Sequence, residues 1–210
     1  MVQWDNGRTN AGEYGAKVVF IDRYESMPAQ NLKYKINKAT YDMSKVKFEN
    51  KSVTYNGKNQ TITATGLPAG VNVTYKNNKK KKVGKYTATA TFTGDTTNYN
   101  PLSVTSKTAT FTIKPKGTSL KKLTAGKKLF KATWKAQKTE TTGYEVQYAT
   151  DKKFTKSKKT VNIKKNKTTS NTVKKLKAKK KYYVRIRTYK TVSGKKIYSG
   201  WSKVLNVKTK

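Results

Sequence analysis

Apolar and polar positions alternate with period two along most of this chain. Tyr86-Thr-Ala-Thr-Ala-Thr-Phe92, Ala109-Thr-Phe-Thr-Ile113, Phe130-Lys-Ala-Thr-Trp-Lys-Ala136 and Tyr144-Glu-Val-Gln-Tyr148 show it most clearly. That spacing puts successive side chains on opposite faces and predicts half-buried strands. Thr, Val and Tyr dominate the runs, and all three suit a pleated surface. Turn chemistry separates them at Asn56-Gly57, Gly66-Leu-Pro-Ala-Gly70, Gly94-Asp95 and Ser193-Gly194. Asn56-Gly57, after Val53-Thr-Tyr55, predicts a hairpin. The runs Lys79–Lys82 and Lys179–Lys181 fall between strand runs and predict exposed turns. The expected class is all-β, with no helical core.

The pattern repeats in part. Trp4-Asp-Asn-Gly and, further on, Gly12-Glu-Tyr14-Gly-Ala16-Lys-Val-Val-Phe20 match Tyr75-Lys-Asn-Asn and Gly84-Lys-Tyr86-Thr-Ala88-Thr-Ala-Thr-Phe92, with a gap of one residue. Each copy then reaches a closing strand, Leu32–Ile36 or Ala109–Ile113. The second copy is complete from about Ala39, whereas the first holds only its C-terminal half. Half of a sandwich cannot cover its own core, so the chain reads as a piece of a longer array. Lys114-Pro-Lys-Gly117 reads as a short linker. The expected modules are therefore residues 1–38, 39–114 and 115–210.

Residues 116–210 carry about seven short strand runs, as in an immunoglobulin-like sandwich. The expected core is Phe130, Trp134, Tyr144, Val146, Leu176, Tyr182, Val184 and Ile186, the inward positions of the alternating runs. Trp134, the Tyr-x-Val-x-Tyr strand, Leu176 six residues before Tyr182, Tyr182-Tyr-Val-Arg-Ile-Arg-Thr-Tyr189 and Tyr198-Ser-Gly-Trp-Ser202 together resemble the fibronectin type III family. The resemblance implies a core tryptophan at Trp134 and a tyrosine corner at Tyr182, whose hydroxyl ties down a crossing loop. The family's Arg-Gly-Asp motif is absent, and its integrin binding is not carried over. Residues 39–114 resemble the MBG repeats of bacterial surface proteins. Ala39-Thr-Tyr-Asp42, Val53-Thr-Tyr-Asn-Gly57, Gly66-Leu-Pro-Ala-Gly-Val71, Val83–Phe92, Asn98-Tyr99 and Ala109–Ile113 carry that likeness. It implies an extracellular bacterial protein of Gram-positive type and transfers no ligand. An immunoglobulin-like sandwich is expected for these repeats, with a grasp-like sheet as the alternative.

Composition narrows the chemistry. In 210 residues there is no cysteine and no histidine. Disulfides, thiolate zinc sites and cysteine nucleophiles are excluded, and the commonest general base and metal ligand is missing. Ten carboxylates remain, with no spacing that suggests the facing pair a glycosidase needs. No apolar run approaches the ~20 residues of a membrane-spanning helix. The first residues show no basic start followed by an apolar stretch, so no signal peptide is read there. No cofactor is expected.

The net charge is +38, and it is uneven. Residues 1–114 carry 18 basic and 7 acidic residues, a net of +11; residues 115–210 carry 30 and 3, a net of +27. Such a chain attracts polyanions. Only Arg8, Arg23, Arg185 and Arg187 among the 48 basic residues are arginine. Base and phosphate readout favours the planar guanidinium, so a lysine coat argues against specific nucleic-acid recognition.

Four residues, Tyr183, Arg185, Arg187 and Tyr189, fall on the outward face of one expected strand. They are the candidate surface-binding set, for an acidic glycan, against the blander reading of a sheet-stabilising ladder. Trp4, Trp134 and Trp201 could stack on sugars; Trp134 reads as core, Trp4 as packed, and Trp201 as packed against its own sandwich. Asp95-Thr-Thr-Asn98 offers one carboxylate to calcium and reads as a polar turn. No lysine–asparagine crosslink is expected. The functional expectation is a spacer or stalk segment of an adhesin-like bacterial surface protein, monomeric within a longer modular chain and not an enzyme. Anionic cell-wall polymers or acidic glycans are the expected partners. The alternative is a glycan- or polymer-binding module, accessory to an exported enzyme.

Overall fold

The computed structural model describes residues 2–3 and 8–210; Trp4 lies outside them. The described residues form strands joined by turns, with one short 3-10 turn at Asp22–Tyr24. The chain is all-β, as expected. It gathers into two compact units, one of residues 1–49, 63–76 and 88–109, the other of residues 50–62, 77–87 and 110–210.

The first unit opens with strands β1 (Val2–Gln3), β2 (Gly12–Val18) and β3 (Gln30–Ile36), an antiparallel sheet in that order. Tyr14 faces Tyr34 and Ala16 faces Leu32 across it. The next sheet holds β4 (Lys51–Thr54), β5 (Asn72–Lys76), β6 (Gly84–Thr93) and β7 (Ser106–Lys114), in the order β4-β7-β6-β5. Within the first unit Tyr41, Met43, Val46 and Phe48 are buried together with Ala88, Ala90, Phe92 and Ala109. This stretch forms no continuous second sheet. It is tied by bridges such as Lys47↔Thr65, and by the Asp95 amide, which donates to the Tyr41 hydroxyl.

Asn56-Gly57 does not make the expected hairpin. It does form a turn, with Gly57 at φ +80° and the Lys58 amide donating to Asn56 Oδ1. But β4 pairs in parallel with β7 rather than with the strand that follows it in sequence. A tight turn supplies chain reversal, and the pairing partner is chosen by tertiary packing.

The second unit ends in a sandwich. One sheet consists of β8 (Leu120–Gly126), β9 (Leu129–Trp134) and β12 (Ser170–Val173). The other consists of β10 (Gly143–Ala149), β11 (Lys159–Ile163), β13 (Lys181–Val192), β14 (Lys195–Tyr198) and β15 (Leu205–Lys208). Phe130, Trp134, Tyr144, Val146, Leu176, Tyr182, Val184 and Ile186 lie in one apolar cluster between the sheets. Burying such side chains is worth about 1.5–3 kcal/mol each. Trp134 packs on Tyr144 with ring centroids 5.5 Å apart. The Tyr182 hydroxyl accepts the Lys177 amide hydrogen at 3.2 Å, which fixes the turn that precedes β13. Ser193 and Gly194, at φ +46° and +76°, join β13 to β14 in a two-residue hairpin of the twist that suits antiparallel strands.

Lys114–Gly117 is pinned at several points. Pro115 is fully buried, and the Lys116 carbonyl accepts the Thr188 hydroxyl hydrogen at 2.9 Å. Nearby, the Val83 amide donates to Glu140 Oε2 at 2.9 Å, and Lys190 Nζ lies 3.9 Å from the same carboxylate.

Candidate functional site

The most elaborate side-chain assembly lies on the outer face of the β10–β13 sheet. Alternation sends Arg185 and Arg187 outward from β13, while Val184 and Ile186 turn inward. Opposite them on β10 stand Gln147 and Glu145, in direct cross-strand register. Arg187 donates through Nε and Nη2 to Glu145 Oε2, at 2.9 and 2.6 Å. Arg185 donates to Gln147 Oε1 in the same way, at 2.9 Å from Nε.

Trp201 completes the assembly. It follows β14 in the segment Ser199-Gly-Trp-Ser202, which runs beside β13. The Ser199 hydroxyl accepts the Thr188 amide hydrogen, and the Ser202 hydroxyl accepts that of Ile186. The Ser199 and Ser202 amides donate back to the Thr188 and Ile186 carbonyls. Two serines thus stand in for ladder residues and hold the indole over the sheet. The Arg185 guanidinium sits 4.1 Å from the Phe154 ring centroid and 4.5 Å from Trp201; that of Arg187 sits 4.3 Å from Trp201 and 3.6 Å from Tyr198. Five side chains therefore stack in the order Phe154, Arg185, Trp201, Arg187, Tyr198.

Every residue of β10 is buried as a result, outward-facing ones included. This double burial was not expected, because Glu145 and Gln147 read as solvent-facing positions. Tyr189 also corrects its expectation: it is buried, not displayed. Gly143 across the pair leaves room for its ring, since a Cβ there would lie 2.8 Å from the Tyr189 hydroxyl. Lys196 Nζ lies over that ring at 4.3 Å. Tyr183, Arg185 and Arg187 are half-buried, and so is Trp201.

Electrostatics follow from this packing. Burial works to raise the pKa of Glu145, but hydrogen bonds from Arg187 and Tyr198 and the charges of Arg187 and Lys196 outweigh it and hold the carboxyl below its ordinary value. Burial, and then the neighbouring charge of Arg187, lower that of Arg185. Lys196 Nζ approaches Asn162 Oδ1 at 2.6 Å and Glu145 Oε1 at 3.4 Å. An amine attacking that amide would need a neutral amine and a protonated acid. A carboxylate kept ionised by Arg187 opposes both, so the contact is a hydrogen-bonded ion pair.

The other two carboxylates of residues 115–210 are also occupied. Asp151 caps its own loop, accepting the amides of Lys153, Thr155 and Lys156, and Glu140 holds Val83. Asp95 accepts the Thr97 and Asn98 amides and forms a polar turn. Among the described residues no three Asp or Glu side chains come together as metal ligands, and no helix is long and apolar enough to cross a membrane.

A fibronectin type III domain spans residues 113–207. Fibronectin type III domains are typical of modular extracellular proteins and are typically not catalytic. Among solved structures, the chain is similar to the chicken CNTN1 FN1–FN3 domains, at 14% identity and a TM-score of 0.39, over 94% of this chain and 77% of that one. A structure titled "Myokine structure" is 17% identical over 44% of this chain and 90% of its own, with a TM-score of 0.33. A β-1,2-glucanase from Parabacteroides distasonis is 14% identical over 58% of this chain and 17% of its own, with a TM-score of 0.37. No curated protein matches the chain.

Proposed function

We propose that the chain is a spacer segment of a bacterial cell-surface protein, in which MBG-type repeats and the fibronectin domain hold another domain away from the wall. The contact between Val83 and Glu140 carries this reading, because it ties the loop ahead of β6 to the fibronectin domain. A spacer needs modules that do not hinge, and here Glu140 of the fibronectin domain accepts the amide hydrogen of Val83 in the preceding stretch at 2.9 Å. Such contacts oppose the free rotation of an ordinary interdomain linker. The stacked face supports the same reading, since Nε and Nη2 of each guanidinium are engaged by Glu145 or Gln147.

A second reading has its own observation. The fibronectin domain carries far more basic than acidic residues, and its three carboxylates are all engaged by protein groups, which favours retention on anionic wall polymers or acidic glycans. Charge-only retention falls with salt, since screening acts over about 8 Å at physiological ionic strength. A wall-polymer and glycan array at two ionic strengths separates the two. The spacer reading expects weak retention, equal among ligands of equal charge and lost at high salt. One ligand retained selectively at high salt would replace it with a recognition module.

A further inference from the structure

The sheet β1–β2–β3 repeats β5–β6–β7 in detail. Tyr14 donates its hydroxyl hydrogen to the Asn10 carbonyl four residues earlier, as Tyr86 does to the Lys82 carbonyl. Arg8 lies over the Tyr14 ring as Lys80 lies over Tyr86. Tyr14 packs on Tyr34 as Tyr86 packs on Phe111. Strand order and sequence agree as well: Ala16, Leu32, Tyr34 and Ile36 stand where Ala88, Ala109, Phe111 and Ile113 stand in the second copy.

What differs is the cover. In the second copy the stretch 41–48 lies on the sheet. Phe48 packs on Tyr75, Lys107 donates to the Val46 carbonyl, and Tyr41 stacks flat on Tyr99 of the β6–β7 connection at 4.0 Å. In addition, β4 pairs along the edge of β7. The first copy has neither. Leu32 is 49% exposed and Tyr24, in the β2–β3 connection, 56%. β3 is an edge strand, and a cleft of about 490 Å³ opens beside Tyr14 and Tyr34. An open apolar face next to an open strand edge is a docking surface.

We infer that β1–β3 is the receiving half of a module, and that it takes a polypeptide segment with the chemistry of residues 39–71, entering ahead of β1. The second copy is the template. It shows an aromatic and aliphatic stretch laid on the face, then a strand added in parallel at the far edge. This inference stands apart from the spacer reading, since it uses only the repeat and the exposed face.

The chain has no cysteine, so a single Leu32→Cys reporter is clean. Maleimide labelling of this variant is compared with that of the same variant carrying a copy of residues 39–73 joined directly ahead of residue 1. Val2 pairs with Val18 where Tyr75 pairs with Ala90, so residue 1 takes the place of residue 74 and no linker is needed. Labelling is expected to slow at least tenfold in the extended protein. Amide exchange over 30–36 should slow by a similar factor. An extension whose counterparts of Tyr41, Met43, Val46 and Phe48 are all serine should label like the unextended chain. Unchanged labelling in the apolar extension overturns the inference. So does equal protection by the serine extension, or labelling of the unextended chain that slows with its own concentration, since a second copy would then be the occupant.

Discussion

The sheets of residues 2–36 and 72–114 share a short pattern, and their local geometry agrees down to a tyrosine hydroxyl reaching back four residues. Their burial does not agree. Phe111 is wholly enclosed, whereas its counterpart Tyr34 is half-exposed. Alternation therefore decides which side chains share a face, and a separate stretch of chain decides whether that face becomes a core. The fibronectin domain offers a third state. There the outward face of β10 is closed not by another layer of backbone but by stacked arginines and rings.

The sharpest way to break this comparison is to empty equivalent positions. Phe111→Ala should cost about 3–5 kcal/mol in urea unfolding, the range for emptying a packed aromatic site. Tyr34→Ala should cost about 1 kcal/mol or less, as half-exposed positions do. Equal costs would mean that the first sheet has a cover of its own.

Glu145→Gln comes next. Losing the carboxylate should destabilise by about 1–3 kcal/mol at pH 7, less than for a fully enclosed pair because water reaches Arg187. The sign with pH follows from a carboxyl depressed on folding. Its contribution is complete above the ordinary value of 4.5 and is lost as pH falls through the lower folded value. The gap between wild type and Glu145→Gln should therefore be constant from pH 7 to about 5 and close below about pH 4.5. A gap that keeps its pH 7 size however far the pH falls below 4.5 would deny Glu145 its ionic role.

Trp201→Ala should cost about 1–2 kcal/mol, the scale of two cation–π contacts part-way out of water. Amide exchange should quicken at Glu145 and Gln147 more than at Val146. The smallest effect is expected at Leu32→Asp, within about 0.5 kcal/mol, because the side chain already meets solvent. A large loss there would show that the face is covered in solution.

Much of the fibronectin domain was legible. Inward positions such as Trp134, Tyr144 and Ile186 alternate in phase, and each stands in the cluster between the sheets. The outer face was legible only in part. Arg185 and Arg187 could be placed on one side of a strand, but not their partners. Glu145 lies 42 residues from Arg187, and Phe154 and Trp201 are both in loops with no periodicity. Tyr189 was misplaced because alternation assigns a face and not an exposure. Asn56-Gly57 misled for a related reason: a turn fixes the chain's reversal and leaves the strand's partner open.

From its sequence alone this protein is an all-β chain with a lysine coat, a partial repeat and a last domain built around Trp134 and Tyr182. Those features are local or periodic, set by backbone preference and by two-residue alternation. Only the folded chain decided that β4 runs parallel to β7, that β10 is buried on both faces, and that one copy of the repeat has a core while the other has an open face. Each depends on segments far apart in sequence meeting in space, and loop entropy and packing choose those meetings rather than any neighbouring residue.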